Sequence, residues 1–343
     1  MVNKQSEKKE NPEIIGSRKD SHLDLALDSQ NDQIDHRFYY EPMLAVHPDK
    51  NATWEAKLGN QTQKYPIWIS SMTGGTANAD EINKKLAHTA KKFGFGIGLG
   101  SCRLAMADNS LSDGFNLRPI LGDEIPFYVN LGIAQVEQLL ETGNGHKIKR
   151  LIEKLSADGL IVHVNPLQEW LQPEGDVIRF PPLETIKKLL NEITFPIIVK
   201  EVGQGFGKES MKELLKLPLT AIEFAANGGT NFSKLELFRN SGVSDFYKEI
   251  VTLGHSSSEM VEFMNDIVRE PGSDVKVQSV IVSGGVKSFL DGYYAISKSA
   301  LPAMYGQAAT FLKYANQSQE ILDNFAWHQI QGLLLAKAFL KVK

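Results

Sequence analysis

Eight short apolar runs, separated by segments of helical period, constrain the fold more than any other feature of the chain. They are PIWISS (66–71), FGIGLGS (95–101), PFYVNLG (126–132), DGLIVHVN (158–165), FPIIVK (195–200), LTAIEFA (219–225), SVIVSGG (279–285) and LPAMYG (301–306). Runs continuously rich in Val and Ile, rather than alternating with polar residues, suit strands buried on both faces, as in a parallel sheet. Amphipathic stretches such as IKKLLNEI (186–193) and SEMVEFMNDIV (258–268) lie between them and supply crossover helices. Eight strands with their helices in about 250 residues make a (β/α)8 TIM barrel of the α/β class. An open doubly wound sheet is the alternative, and the lack of GxGxxG after the first run counts against it. Neither a repeat nor a dividing linker is visible. Residues 18–343 are therefore expected to form a single barrel domain including an N-terminal extension, with the polar stretch 1–17 a disordered tail.

Polar and glycine-rich residues gather at the carboxyl end of every run: SSMTGGT, GSCR, NLG, HVNPLQE, KEVGQG, AANGGTNF, SGG and YGQAA. In a barrel all of these fall on one rim, where each strand projects a side chain towards the axis and active sites are built. An enzyme is the expectation.

Composition narrows the chemistry. A net charge of −4 with dispersed basic residues argues against nucleic acid. One cysteine, Cys102, excludes a disulfide framework and a multi-cysteine metal site. The N-terminus lacks the apolar segment of a signal peptide, and LLLAKAFL is short and broken by Lys337, so a soluble, cytoplasmic protein with no membrane partner is expected.

Several rim residues carry specific possibilities. SGG and YGQAA, after the seventh and eighth runs, place glycine-freed amides where barrels commonly bind phosphate, although ordinary turns also use glycine. Lys200 ends its strand either as a surface charge or as a cation in the barrel mouth, where it would favour negative charge on a reduced flavin ring. Glu169 could hold a hard divalent cation together with phosphate oxygens and water, or be a solvated loop carboxylate. Gln168 could hydrogen-bond a neutral substrate group. His163 is a catalyst or a satisfied core histidine. Arg18 and Lys19, with His22 after them, form a solvated basic cluster or a diphosphate clamp.

Taken in order, RKDSH, MTGG, GSCR, NLG, HVNPLQE with PEGD, KEVGQG, GGTNF, and SGG followed by LDG closely resemble the type 2 isopentenyl-diphosphate Δ-isomerase family across about residues 16–315. The resemblance implies isomerisation of isopentenyl diphosphate to dimethylallyl diphosphate, with FMN active in its reduced form, NADPH as reductant and Mg²⁺. It also implies a homo-oligomer, a tetramer or octamer. By position, Arg18, Lys19, His22, Ser101, Arg103 and Gln168 resemble substrate ligands, with Gln168 and His163 the catalytic candidates and Glu169 the metal ligand. Met72, Thr73, Gly74, Ser101, Asn130, Lys200, Thr230, Gly284, Gly285, Val286, Ala308 and Ala309 match FMN contacts. Ala225 departs from the pattern, standing where many members have a serine that contacts FMN, and the link from AANGGT to GHSSSEM follows no motif of the family.

Two other readings compete. An FMN-dependent 2-hydroxy acid oxidase or dehydrogenase on the same barrel would need a His/Arg pair at a strand end, which the SGG terminus of the seventh run lacks. A flavin-binding protein without catalysis leaves RKDSH and Gln168–Glu169 without a purpose. Fold alone cannot separate these.

Overall fold

The computed structural model describes residues 21–22, 24–31, 33–71, 77–107 and 114–343. Tyr40–Val342 form one compact unit, and the residues up to Tyr39, with Lys343, form another. In the smaller unit Arg37 pairs with Asp35 at 2.7 Å. The expected boundary between tail and domain, at residues 17 and 18, lies outside the described residues.

All eight apolar runs become strands of a closed parallel barrel: β1 (Ile67–Ile69), β2 (Gly96–Gly98), β3 (Phe127–Gly132), β4 (Gly159–His163), β5 (Ile197–Lys200), β6 (Ala221–Glu223), β7 (Ser279–Ser283) and β8 (Ala303–Gln307). They pair in sequence order, and β8 closes on β1 with Tyr305 opposite Ile67. The continuous burial of β3, β5 and β7 matches their largely apolar character, one face turned to the barrel interior and the other to the helices. Trp68, Tyr128, Ile161, Ile198, Ala221, Ile281 and Met304 fill the interior, and Trp68 meets Tyr128 edge to face at 5.9 Å. Each fully buried aliphatic side chain of this kind contributes about 1.5–3 kcal/mol relative to exposure.

The amino-terminal mouth is plugged by an antiparallel hairpin, Ala56–Leu58 with Gln61–Gln63. Leu58 enters the core cluster, while the buried Gln63 amide donates to the carbonyls of Tyr65 and Ile67 and accepts the Gly96 N–H. With that mouth filled, the barrel interior opens at the carboxyl rim. The segment after AANGGT that matched no motif folds as helices Phe232–Arg239 and Ser241–Tyr247, a short 3-10 turn, and helix Ser257–Arg269. Ser256 caps the last of these in a reciprocal box with Glu259, and the His255 carbonyl accepts the Asn227 N–H. No helix among the described residues is long and apolar enough to cross a membrane.

Candidate active site

Two contiguous cavities open on the carboxyl rim. The larger, about 340 Å³, is walled by Lys200, Glu223 and Ser283 and by residues of the loops after β6, β7 and β8. The smaller, about 130 Å³, is lined by Gly100, Ser101, Asn130, His163 and Gln168. Ser71, Lys200, Val202 and Phe232 line both.

Glycine builds one wall of the larger cavity. Gly284 and Gly285 adopt φ of +87° and +74°, and Gly228 +104°. A Cβ on Gly284 would lie 2.1 Å from the Ala226 carbonyl oxygen, so only glycine lets these loops touch. Among the described residues, the backbone N–H groups of Gly284, Gly285 and Val286 have no partner. Gln307, 3% exposed, donates to the Val286 carbonyl at 3.1 Å, and its Oε1 has no partner, like the Oγ of buried Ser71. Buried polar atoms left open at a cavity wall await a polar ligand. Thr230, Val286, Ala308 and Ala309 lie on the same wall. Open N–H groups beside buried, unpartnered side-chain oxygens suit a ligand that carries an anionic group and hydroxyls.

Beneath the junction of the two cavities, Lys200 on β5 faces Glu223 on β6 in direct register. The Lys200 ammonium, on a residue only 6% exposed, donates to the Glu201 carbonyl at 2.8 Å. Burial raises the pKa of Glu223, opposed chiefly by the Lys200 charge and then by the Ser70, Ser283 and Trp68 side chains. Glu201 is buried as well, and one carboxylate oxygen gathers the N–H groups of Gly203, Gln204 and Gly205 at 2.6–2.8 Å. Burial raises its pKa too, with those backbone donors acting the other way. Lys200 is thus held by the carbonyl of a residue whose own side chain is tied into the following turn.

In the smaller cavity, the Asn130 amide donates to the Leu99 carbonyl, which leaves its Oδ1 to accept from His163 Nδ1 at 2.7 Å. That arrangement assigns the proton to Nδ1 and leaves Nε2 a lone pair. Gly132 makes room for the ring, since a Cβ there would come within 3.0 Å of Nε2. Desolvation and then the Lys200 charge depress the His163 pKa to about 3, so the imidazole is neutral at physiological pH. Asn165, 2% exposed, donates to Gln168 Oε1 at 3.2 Å and to Glu169 Oε1 at 2.9 Å, while its own Oδ1 has no partner. Glu169 Oε2 accepts the Asp176 N–H at 2.7 Å, and the Asp176 carboxylate pairs with Arg103 at 2.8 Å. PEGD therefore folds back over HVNPLQE and ties it to GSCR.

Asn130, His163, Gln168, Lys200, Ser101, Thr230, Gly284, Gly285, Val286, Ala308 and Ala309 all line this pair of cavities. Glu169 and Arg103 sit beside it in one hydrogen-bonded chain. Arg18, Lys19, Met72, Thr73 and Gly74 lie outside the described residues, and His22 is helical and exposed. No cluster of three metal-ligating side chains occurs among the described residues. Glu169 keeps a free lone pair on each oxygen, a donor set suited to an ion that brings phosphate oxygens and water with it. Sequence reasoning missed Ser71, Glu223, Ser283 and Gln307. Only strand parity could have shown them, because residues two apart share a face. Burial pushes the Cys102 thiol up to about 12, which disfavours its thiolate.

No family model matches the chain. Curated relatives do. The isopentenyl-diphosphate delta-isomerase of Rickettsia felis is 34% identical over 289 residues, covering 84% of this chain and 80% of that protein. That of Rickettsia akari is 33% identical over 316 residues, covering 90% and 88%. Among solved structures, a mandelate oxidase mutant with a monooxide FMN adduct aligns at a TM-score of 0.56 and 13% identity, over 90% of this chain and 88% of that one. A flavocytochrome b2 variant with sulfite bound aligns at 0.58 and 15%, over 96% and 84%. At these identities the structural likeness establishes the barrel and nothing finer.

Proposed function

The chain belongs to the isopentenyl-diphosphate delta-isomerase family, and we propose from that premise that it converts isopentenyl diphosphate to dimethylallyl diphosphate with reduced FMN in the joined cavities. The observation that carries this reading is the continuity of a glycine-walled, phosphate-type cradle with a smaller cavity holding Gln168, joined at Lys200. A flavin phosphate suits the open amides of Gly284, Gly285 and Val286, its hydroxylated chain the open Gln307 and Ser71 oxygens, and its ring the junction beside Lys200 and Asn130.

The reaction adds a proton to the terminal alkene carbon and removes one from the allylic carbon, with no net redox change. Reduced FMN supplies, when bound, an electron-rich, acid–base-competent ring against the alkene. Gln168 orients the alkene end of the substrate from the smaller cavity. His163, neutral and bonded through Nδ1, holds Asn130 in position and presents only a lone pair. Lys200 favours the anionic form of a reduced ring at the junction. Glu169 would hold Mg²⁺ against the diphosphate, with Arg18, Lys19 and His22 as further diphosphate ligands, so that remote binding energy positions the reacting carbons. NADPH as reductant, a tetrameric or octameric assembly and a cytoplasmic location complete the reading.

The absence of arginine from the described residues lining either cavity favours this reading over a 2-hydroxy acid oxidase, which needs an arginine paired with a histidine for carboxylate binding and proton abstraction. The deciding experiment incubates the protein anaerobically with FMN, Mg²⁺ and isopentenyl diphosphate. Dimethylallyl diphosphate should form after reduction by NADPH or dithionite, and not with oxidised FMN. Flavin reduction by a 2-hydroxy acid, with no isomerisation, would overturn it.

A further inference from the structure

Two loops from adjacent strands build the glycine wall, and a single side chain ties them together. Ser283, at the end of β7 and 3% exposed, accepts the Ala226 N–H on its backbone carbonyl at 2.9 Å. Its hydroxyl accepts the neighbouring Ala225 N–H, also at 2.9 Å. That hydroxyl has one proton to give, and it goes to Glu223 Oε1 at 3.2 Å. Ala225 is the residue that needs holding, since its φ of +43° lies in the left-handed region that a Cβ disfavours. Immediately after it the chain passes Ala226 against Gly284, then turns at Gly228, whose Cβ, if present, would lie 3.0 Å from the Gly285 Cα. Gly284 and Gly285 carry two of the open N–H groups of the cradle.

We propose that Glu223 and Ser283 are positioning residues that set the aim of the phosphate cradle: Glu223 orients the Ser283 hydroxyl, and Ser283 locks Ala225 and hence both glycine loops. The inference rests on the reading of this wall as the flavin-phosphate cradle. The acceptor at Glu223 is what matters, so an amide oxygen at the same place serves equally. Neither side chain lines the smaller cavity beside Gln168. Glu223 faces Lys200, whereas Ser283 stands on β7, so loss of the Ser283 hydroxyl affects the phosphate end of a ligand and spares the ring end.

That asymmetry gives the test. Dissociation constants for FMN and for riboflavin, which lacks the phosphate, are measured by fluorescence on the full chain and on Ser283→Ala, Glu223→Gln and Glu223→Leu, with folding checked by circular dichroism. Ser283→Ala should weaken FMN about tenfold, the scale of one or two net hydrogen bonds, and leave riboflavin unchanged, and Glu223→Leu should reduce the preference for FMN over riboflavin by a similar factor. Glu223→Gln should keep the FMN preference. Equal affinity of the unaltered protein for both flavins would overturn the cradle reading and this inference with it. A preference for FMN that survives intact in Ser283→Ala, or a parallel loss of both flavins in a folded Ser283→Ala, would overturn the inference alone.

Discussion

Lys200 and Glu223 face each other in direct register across β5 and β6, both buried, yet the ammonium is held by the Glu201 carbonyl. The cation is thereby fixed at the junction of the two cavities, and its influence on a bound ring is open to measurement. Lys200→Met should lower the two-electron reduction potential of bound FMN by on the order of 30 mV, equivalent to about 1.4 kcal/mol for the couple. Spectroelectrochemical titration of the loaded protein reads this directly, and an unchanged potential would place the ammonium out of reach of the ring.

His163 gives a pH prediction. Its folded pKa is about 3 against an ordinary 6.5, so below pH 6.5 the unfolded chain binds a proton that the folded chain refuses. Stability from this group is full above pH 6.5 and declines as pH falls towards about 3. At pH 5 the loss should be on the order of 2 kcal/mol. Urea midpoints at pH 7 and pH 5 should therefore drop less in His163→Gln than in the unaltered protein.

Much of this was readable beforehand, and the reasons differ by element. All eight strands announced themselves because burial on both faces leaves few polar residues to interrupt them. Gln168, Lys200 and Gly284 were visible because each stands at or just beyond the carboxyl end of such a run. Ser283 and Glu223 were not, since strand parity alone, and not residue type, shows which way a serine or glutamate inside an apolar run points. The binding of Glu169 to the Asp176 amide was hidden for another reason: it depends on the turn at Gly175, where an added Cβ would lie 1.9 Å from the Glu169 carbonyl oxygen.

Gln168 should separate chemistry from binding. Gln168→Ala is expected to lower kcat and kcat/KM together, by about 10²–10⁴-fold for a lost positioning or relay group. Arg18→Ala should mainly raise KM, because diphosphate charge persists from ground state to transition state. Steady-state kinetics with reduced FMN and saturating Mg²⁺ distinguish them. A Gln168→Ala variant altered only in KM would make the amide a mere partner of Asn165.

Glu169→Gln should retain the bound-flavin spectrum and lose most turnover, with part of it restored at high Mg²⁺. Turnover independent of Mg²⁺ in both proteins would leave Glu169 with only its contacts to Asn165 and Asp176.

The close approach of Gly228 and Gly229 to Gly284 and Gly285 has a consequence for how this rim can change. Neither loop has room of its own: a side chain gained on one would occupy space that belongs to the other, across a gap of more than fifty residues in sequence. Substitutions in the two loops will therefore not combine additively, as expected for residues that share a contact. A library that randomises one loop alone would sample mostly dead sequences, whereas varying both together gives access to cradles of another shape.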